Sequence, residues 1–116
     1  MQLILSDNSI HLKCTPQDVH QFQQETEVED SVVFGETFGD KFIFALRTSH
    51  SYEELHVSLI ANELRIFVPK LLAHEWCTTD RIGFGDTMNV GEGRELNLYV
   101  EKIFPHPEEV TPNTES

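Results

Sequence analysis

Asp30-Ser31-Val32-Val33-Phe34-Gly35-Glu36-Thr37 reads as a strand running into a turn, and its pattern recurs. Fifty residues on (30 to 80) stands Asp80-Arg81-Ile82-Gly83-Phe84-Gly85-Asp86-Thr87. Asp, Phe, Gly and Thr return in step, Val32 answers Ile82 and Glu36 answers Asp86. Self-similarity at a period of this size marks a repeated supersecondary unit.

The similarity extends outward from that stretch. Upstream, Asn8-Ser9-Ile10-His11-Leu12 lines up with Asn62-Glu63-Leu64-Arg65-Ile66. Downstream, Lys41-Phe42-Ile43-Phe44-Ala45-Leu46 lines up with Glu95-Leu96-Asn97-Leu98-Tyr99-Val100. Between these blocks each half opens a helix with a proline, Pro16 in the first and Pro69 in the second.

Local signals support this plan. Residues 2–6 form a short strand, Asp7-Asn8-Ser9 the turn, and Ile10, Leu12 and Cys14 the inward face of a second strand. Thr15 is placed to cap a helix by accepting the amide three residues on. Pro16 suits the first helical position, where its missing N–H is harmless, and Asp18 suits the dipole. Val19 and Phe22 supply that helix's apolar stripe, and it should end near Glu25 or Thr26.

Residues 27–30 read as a polar connection and 31–35 as a strand. Thr37 to Asp40 read as a turn with Gly39 left-handed, and 41–48 as a strand. Residues 49–54 link the halves, as a loop or as a helical turn capped by Ser51. Strands follow at 55–60 and 64–68, then a helix carrying Leu72, Ala73 and Trp76 on one face. Strands at 81–85 and 95–104 close the chain.

The expected fold is therefore α+β, built from two ββαββ repeats at about 2–48 and 55–104, with two helices. Its mostly antiparallel sheet is open or curled into an eight-stranded barrel. Four short strands and one helix leave an apolar face exposed, so the units must pair within a single domain at 1–104. Residues 105–116 hold three prolines and no periodicity, and read as a disordered, acidic tail.

The 116 residues carry 20 acids against 8 bases, a formal charge of −12. That opposes nucleic acid, whose phosphates need Lys and Arg, and it opposes an anionic membrane surface. Met1-Gln2-Leu3-Ile4-Leu5 lacks the basic start of a signal peptide, and no apolar run approaches a membrane span. Cys14 and Cys77 form no CxxC pair. In the cytoplasmic setting these features suggest, they read as free thiols, with one disulfide as the alternative.

Several blocks together resemble a family of small uncharacterised bacterial proteins. They are Asn8-Ser9-Ile10, Thr15 to Asp18, Val68-Pro69, Ala73 to Trp76, Asp80 to Phe84 and Val100-Glu101-Lys102. The resemblance spans about residues 2–104 and implies a bacterial cytosolic protein without an assigned activity. Members continue with Cys-Leu after the final strand, where this chain has Phe104-Pro105-His106, so any role of that cysteine is absent here.

Chemistry is sparse. His11, His20, His50, His56, His74 and His106 show no metal-ligand spacing, and His74-Glu75 lacks the second histidine of a zinc helix because position 78 is Thr. Gly83-Phe84-Gly85 and Gly91-Glu92-Gly93 match no phosphate-binding loop and read as turns or close backbone packing. Cys77 with His74 one helical turn away lacks a third orienting group. Trp76 reads as a core wedge.

The candidate site residues are Glu36 and Asp86, which the fifty-residue period makes mates across the seam between halves, together with His74. Facing carboxylates would bind a divalent cation or move protons. The expected function is a non-catalytic cytosolic binding module with no cofactor. It would take a protein partner or small ligand at the seam, or self-associate by a sheet edge. The alternative is a small metal- or ligand-binding enzyme using those carboxylates.

Overall fold

The computed structural model describes residues 1–37 and 39–103. The expectations for Phe38 and for the 105–116 tail lie outside the described residues. In chain order the elements are β1 (Gln2–Ser6), β2 (Ser9–Cys14), α1 (Pro16–Glu25), β3 (Glu27–Val33) and β4 (Lys41–Ser49). There follow β5 (His56–Ile60), β6 (Glu63–Pro69), α2 (Lys70–Thr78), β7 (Gly83–Gly91) and β8 (Arg94–Lys102). This is ββαββ written twice.

The repeats do not build one sheet each. One sheet has the order β1-β2-β8-β7 and the other β3-β4-β6-β5, so every sheet takes one hairpin from each half. Within a sheet the two outer pairings are antiparallel and the central one, β2 with β8 or β4 with β6, is parallel. Both sheets are open, with two edge strands apiece, which is a two-sheet arrangement and not a closed barrel.

The two central ladders obey one rule. Ser9 pairs Asn97 and Glu63 pairs Ile43, so each partner moves by 54 residues between the sheets (9 to 63, 43 to 97). The blocks at Asn8 and Lys41 are thus in true register with those at Asn62 and Glu95. The stretch at Asp30 is not. Val28 pairs Leu46 and Phe84 pairs Val100, so β3 moves to β7 by 56 residues (28 to 84). The repeat equivalent of Asp86 is therefore Asp30, and the fifty-residue match is six residues out of step. An even slip leaves alternating residues on the same face, so periodicity alone does not detect it. The consequence shows at the matched phenylalanines: Phe84 is 3% exposed in β7, while Phe34 is 75% exposed beyond β3.

The helices are the crossovers between sheets. Thr15 caps α1 as its chemistry requires: its hydroxyl accepts the Asp18 amide at 3.1 Å, and the Asp18 carboxylate accepts the Thr15 amide at 2.8 Å. Thr26 closes the helix in the left-handed conformation, donating its amide to the Phe22 carbonyl at 2.8 Å. Pro69 ends β6 and supplies no side-chain cap to α2.

Residues 27–30, expected as a connection, belong to β3. Glu27, Glu29 and Asp30 are tolerated because this is an edge strand, while Val28 turns into the core, and Glu27 reaches Arg47 of β4 at 3.0 Å. Gly39 is not left-handed; Gly91 and Gly93 are, in the tight β7–β8 turn. The 49–55 link contains no helix. Its turn is organised by Ser49, whose hydroxyl accepts the Ser51 and Tyr52 amides at 3.1 and 2.9 Å.

Inward-facing side chains of both sheets and both helices form one cluster, including Leu12, Cys14, Phe22, Leu46, Ile66, Trp76, Phe84 and Val100. Trp76 is fully buried and donates its indole N–H to the Ile82 carbonyl at 2.9 Å, which satisfies its only polar atom. The outer faces carry charge, with Arg65 held by Glu63 at 2.7 and 2.9 Å and His11 against Glu101 at 2.6 Å.

Candidate functional site: an apolar cleft between the sheets

The helices close one end of the two-sheet stack. β2, β4, β6 and β8 all run toward that end, so their first residues lie at the other, where among the described residues no helix covers the gap. There Leu5, Ile10, Phe42, Val57, Leu59, Leu64 and Leu96 line a cleft of about 550 Å³, with Ser6, Asn8 and Ser9 completing it. Three pairs of these residues are repeat equivalents 54 residues apart: Leu5 with Leu59, Ile10 with Leu64, and Phe42 with Leu96 (5 to 59, 10 to 64, 42 to 96). Both halves therefore line the cleft, six residues from the first and four from the second.

Its depth is apolar because Ile10, Leu64 and Phe42 sit on the inward faces of central strands. Its rim stays apolar even where water reaches it, with Leu5 58% and Leu59 65% exposed. Exposed apolar residues are unremarkable singly; around a concave opening of ligand size they indicate a binding site.

The residues singled out from sequence lie elsewhere and apart. Glu36 is on the exposed β3–β4 connection. Asp86 is on β7 and lines a different cleft of about 650 Å³, beside Glu53, Glu54 and Lys70. His74 lines a third, of about 190 Å³, with Phe22, His50, Lys70 and Cys77. Asp86 and its true mate Asp30 each turn one oxygen onto their own backbone, accepting the Thr87 and Ser31 amides at 2.8 Å. Among the described residues no group of three or more His, Cys, Asp and Glu side chains is placed to hold a metal ion.

Both cysteines are free. Burial pushes the Cys14 thiol up to about 12, and burial also raises Cys77, which Lys102 only partly offsets. A nucleophilic thiol needs the opposite shift, so the His74–Cys77 pair is not activated. The paired glycines serve packing. A Cβ on Gly83 would lie 2.5 Å from the Tyr99 hydroxyl, and one on Gly85 would strike the Leu98 carbonyl oxygen and approach the Tyr99 ring.

A family model covers residues 1–112. The chain belongs to DUF7009, a family of unknown function. No curated protein and no solved structure matches this DUF7009 chain. Among the described residues no helix is long and apolar enough to cross a membrane.

The apolar cleft was only half visible in the sequence. Two of its three mate pairs fall in the blocks aligned at Asn8 and Lys41, which carried the correct register. What sequence lacked was the exchange of hairpins that brings those blocks face to face.

Proposed function

We propose that this DUF7009 chain is a non-catalytic cytoplasmic binding module that holds a small apolar ligand in the apolar cleft. The observation that carries this reading is the cleft's lining by three repeat-related apolar pairs, open to solvent at the end opposite α1 and α2. Its volume of about 550 Å³ falls in the range of small-molecule sites, roughly 300–1,000 Å³. Free Cys14 and Cys77 fit a reducing compartment. The formal charge of −12 argues against nucleic acid and anionic membranes as partners.

Titration with the neutral fluorophore Nile red tests the proposal. Saturable, one-site binding is expected for the wild type. Leu59→Asp and Leu5→Asp each place a charge at an exposed rim position. Each should abolish binding while circular dichroism and the thermal midpoint hold. Binding that survives both substitutions, or no binding by the wild type, would refute the assignment.

A further inference from the structure

We infer that the apolar cleft selects a neutral aliphatic chain over the same chain bearing a charged head group. This rests on the reading that the cleft is the binding site. None of its ten lining residues is Asp, Glu, Lys, Arg or His, in a chain that has 20 acids and 8 bases. A charged head drawn into the cleft loses water and meets no counter-charge, a cost far above that of burying methylenes.

The three polar side chains of the lining, Ser6, Asn8 and Ser9, carry no charge to compensate. Asn8 donates its side-chain amide to the Glu95 carbonyl at 2.6 Å, and Ser9 donates its hydroxyl to the Ser6 carbonyl at 2.5 Å. Those bonds hold the β1–β2 turn and the start of β8, and none of these side chains carries a charge to meet an ionised head. An anionic head also approaches against the net charge of −12. A cationic head gains long-range attraction from that charge, but salt screens it over about 8 Å at physiological strength, and no carboxylate lines the cleft to receive it.

The test compares 1-decanol, decanoate and decylammonium as displacers of Nile red from the full-length protein at physiological salt. Leu59→Asp serves as the cleft control. Decanol should displace the dye saturably, the two ions at least about tenfold more weakly, and Leu59→Asp should lose decanol binding. If either ion competes within about threefold of decanol and loses that ability in Leu59→Asp, the cleft stands as the site and the selectivity is overturned. If none of the three displaces the dye, the assignment of the cleft fails and this inference falls with it.

Discussion

Phe22 of α1 and Trp76 of α2 meet edge to face, with ring centroids 6.0 Å apart and planes at 65°. They are repeat mates on the same 54-residue rule (22 to 76), so the two halves lock at the helix end through their largest side chains. Trp76 also meets Phe84 edge-on at 5.2 Å. Trp76→Ala should cost about 3–5 kcal/mol, from lost transfer energy and the cavity left behind. A double-mutant cycle with Phe22→Leu should show a coupling of about 0.5–1.5 kcal/mol. Urea unfolding followed by circular dichroism measures both.

Gly85→Ala should destabilise by about 1–3 kcal/mol, because the new methyl strikes a carbonyl oxygen of the neighbouring strand. Gly91→Ala tests a different origin, since its cost comes from a φ of +99° and not from a clash. Adding Tyr99→Ala to Gly85→Ala should relieve little of the penalty, as the Leu98 backbone remains in place. Thermal midpoints of the four proteins decide.

The capping box makes stability depend on pH in a defined direction. Burial tends to raise the Asp18 carboxyl. The Thr15 backbone and hydroxyl, with the Met1 ammonium at 3.1 Å, outweigh burial and hold the carboxyl below its ordinary value of 3.8. A depressed native pKa means the unfolded chain binds the proton more readily. The contribution is thus fully present above about pH 4 and is lost as pH falls through the native value. Asp18→Asn should flatten that part of the profile, and Thr15→Ala should cost about 1 kcal/mol at neutral pH. Denaturant midpoints between pH 2 and 7 check both.

Thiol labelling should be biphasic. Cys77 is partly exposed and reacts from the native state, slowly for a thiol because burial raises its pKa. Cys14 is fully buried, with its pKa pushed to about 12, and should label only as fast as the protein unfolds. Iodoacetamide labelling followed by intact-mass measurement resolves the phases. Comparable native-state rates for both would contradict the packing at the end of β2.

Much of the fold is legible in particular residues. Thr15, Pro16 and Asp18 announce the start of α1, and the alternation of Ile10, Leu12 and Cys14 announces the buried face of β2. Asp7 and Asn8 adopt the left-handed angles their side chains tolerate, at φ of 50° and 55°. Trp76 is the core wedge its helix face implied. The β3 boundary was missed because Glu27, Glu29 and Asp30 look like a loop, whereas an edge strand tolerates such charge. The Glu36–Asp86 pairing came from a six-residue slip that alternation does not penalise.

Sequence by itself determined the order ββαββ-ββαββ, the inward side of β2, and the cap of α1. Those properties depend on contacts within a few residues, where periodicity and side-chain chemistry act directly. Only the tertiary structure decided that each sheet joins one hairpin from each half, through β2 with β8 and β4 with β6. The β2–β8 pairing unites residues as distant as Ser9 and Asn97, and backbone hydrogen bonds between strands are nearly indifferent to which strand supplies them. What chose the partners was the burial of two apolar faces against each other. That choice also left Leu5, Leu59, Phe42 and Leu96 around an open cleft at the end the helices do not reach.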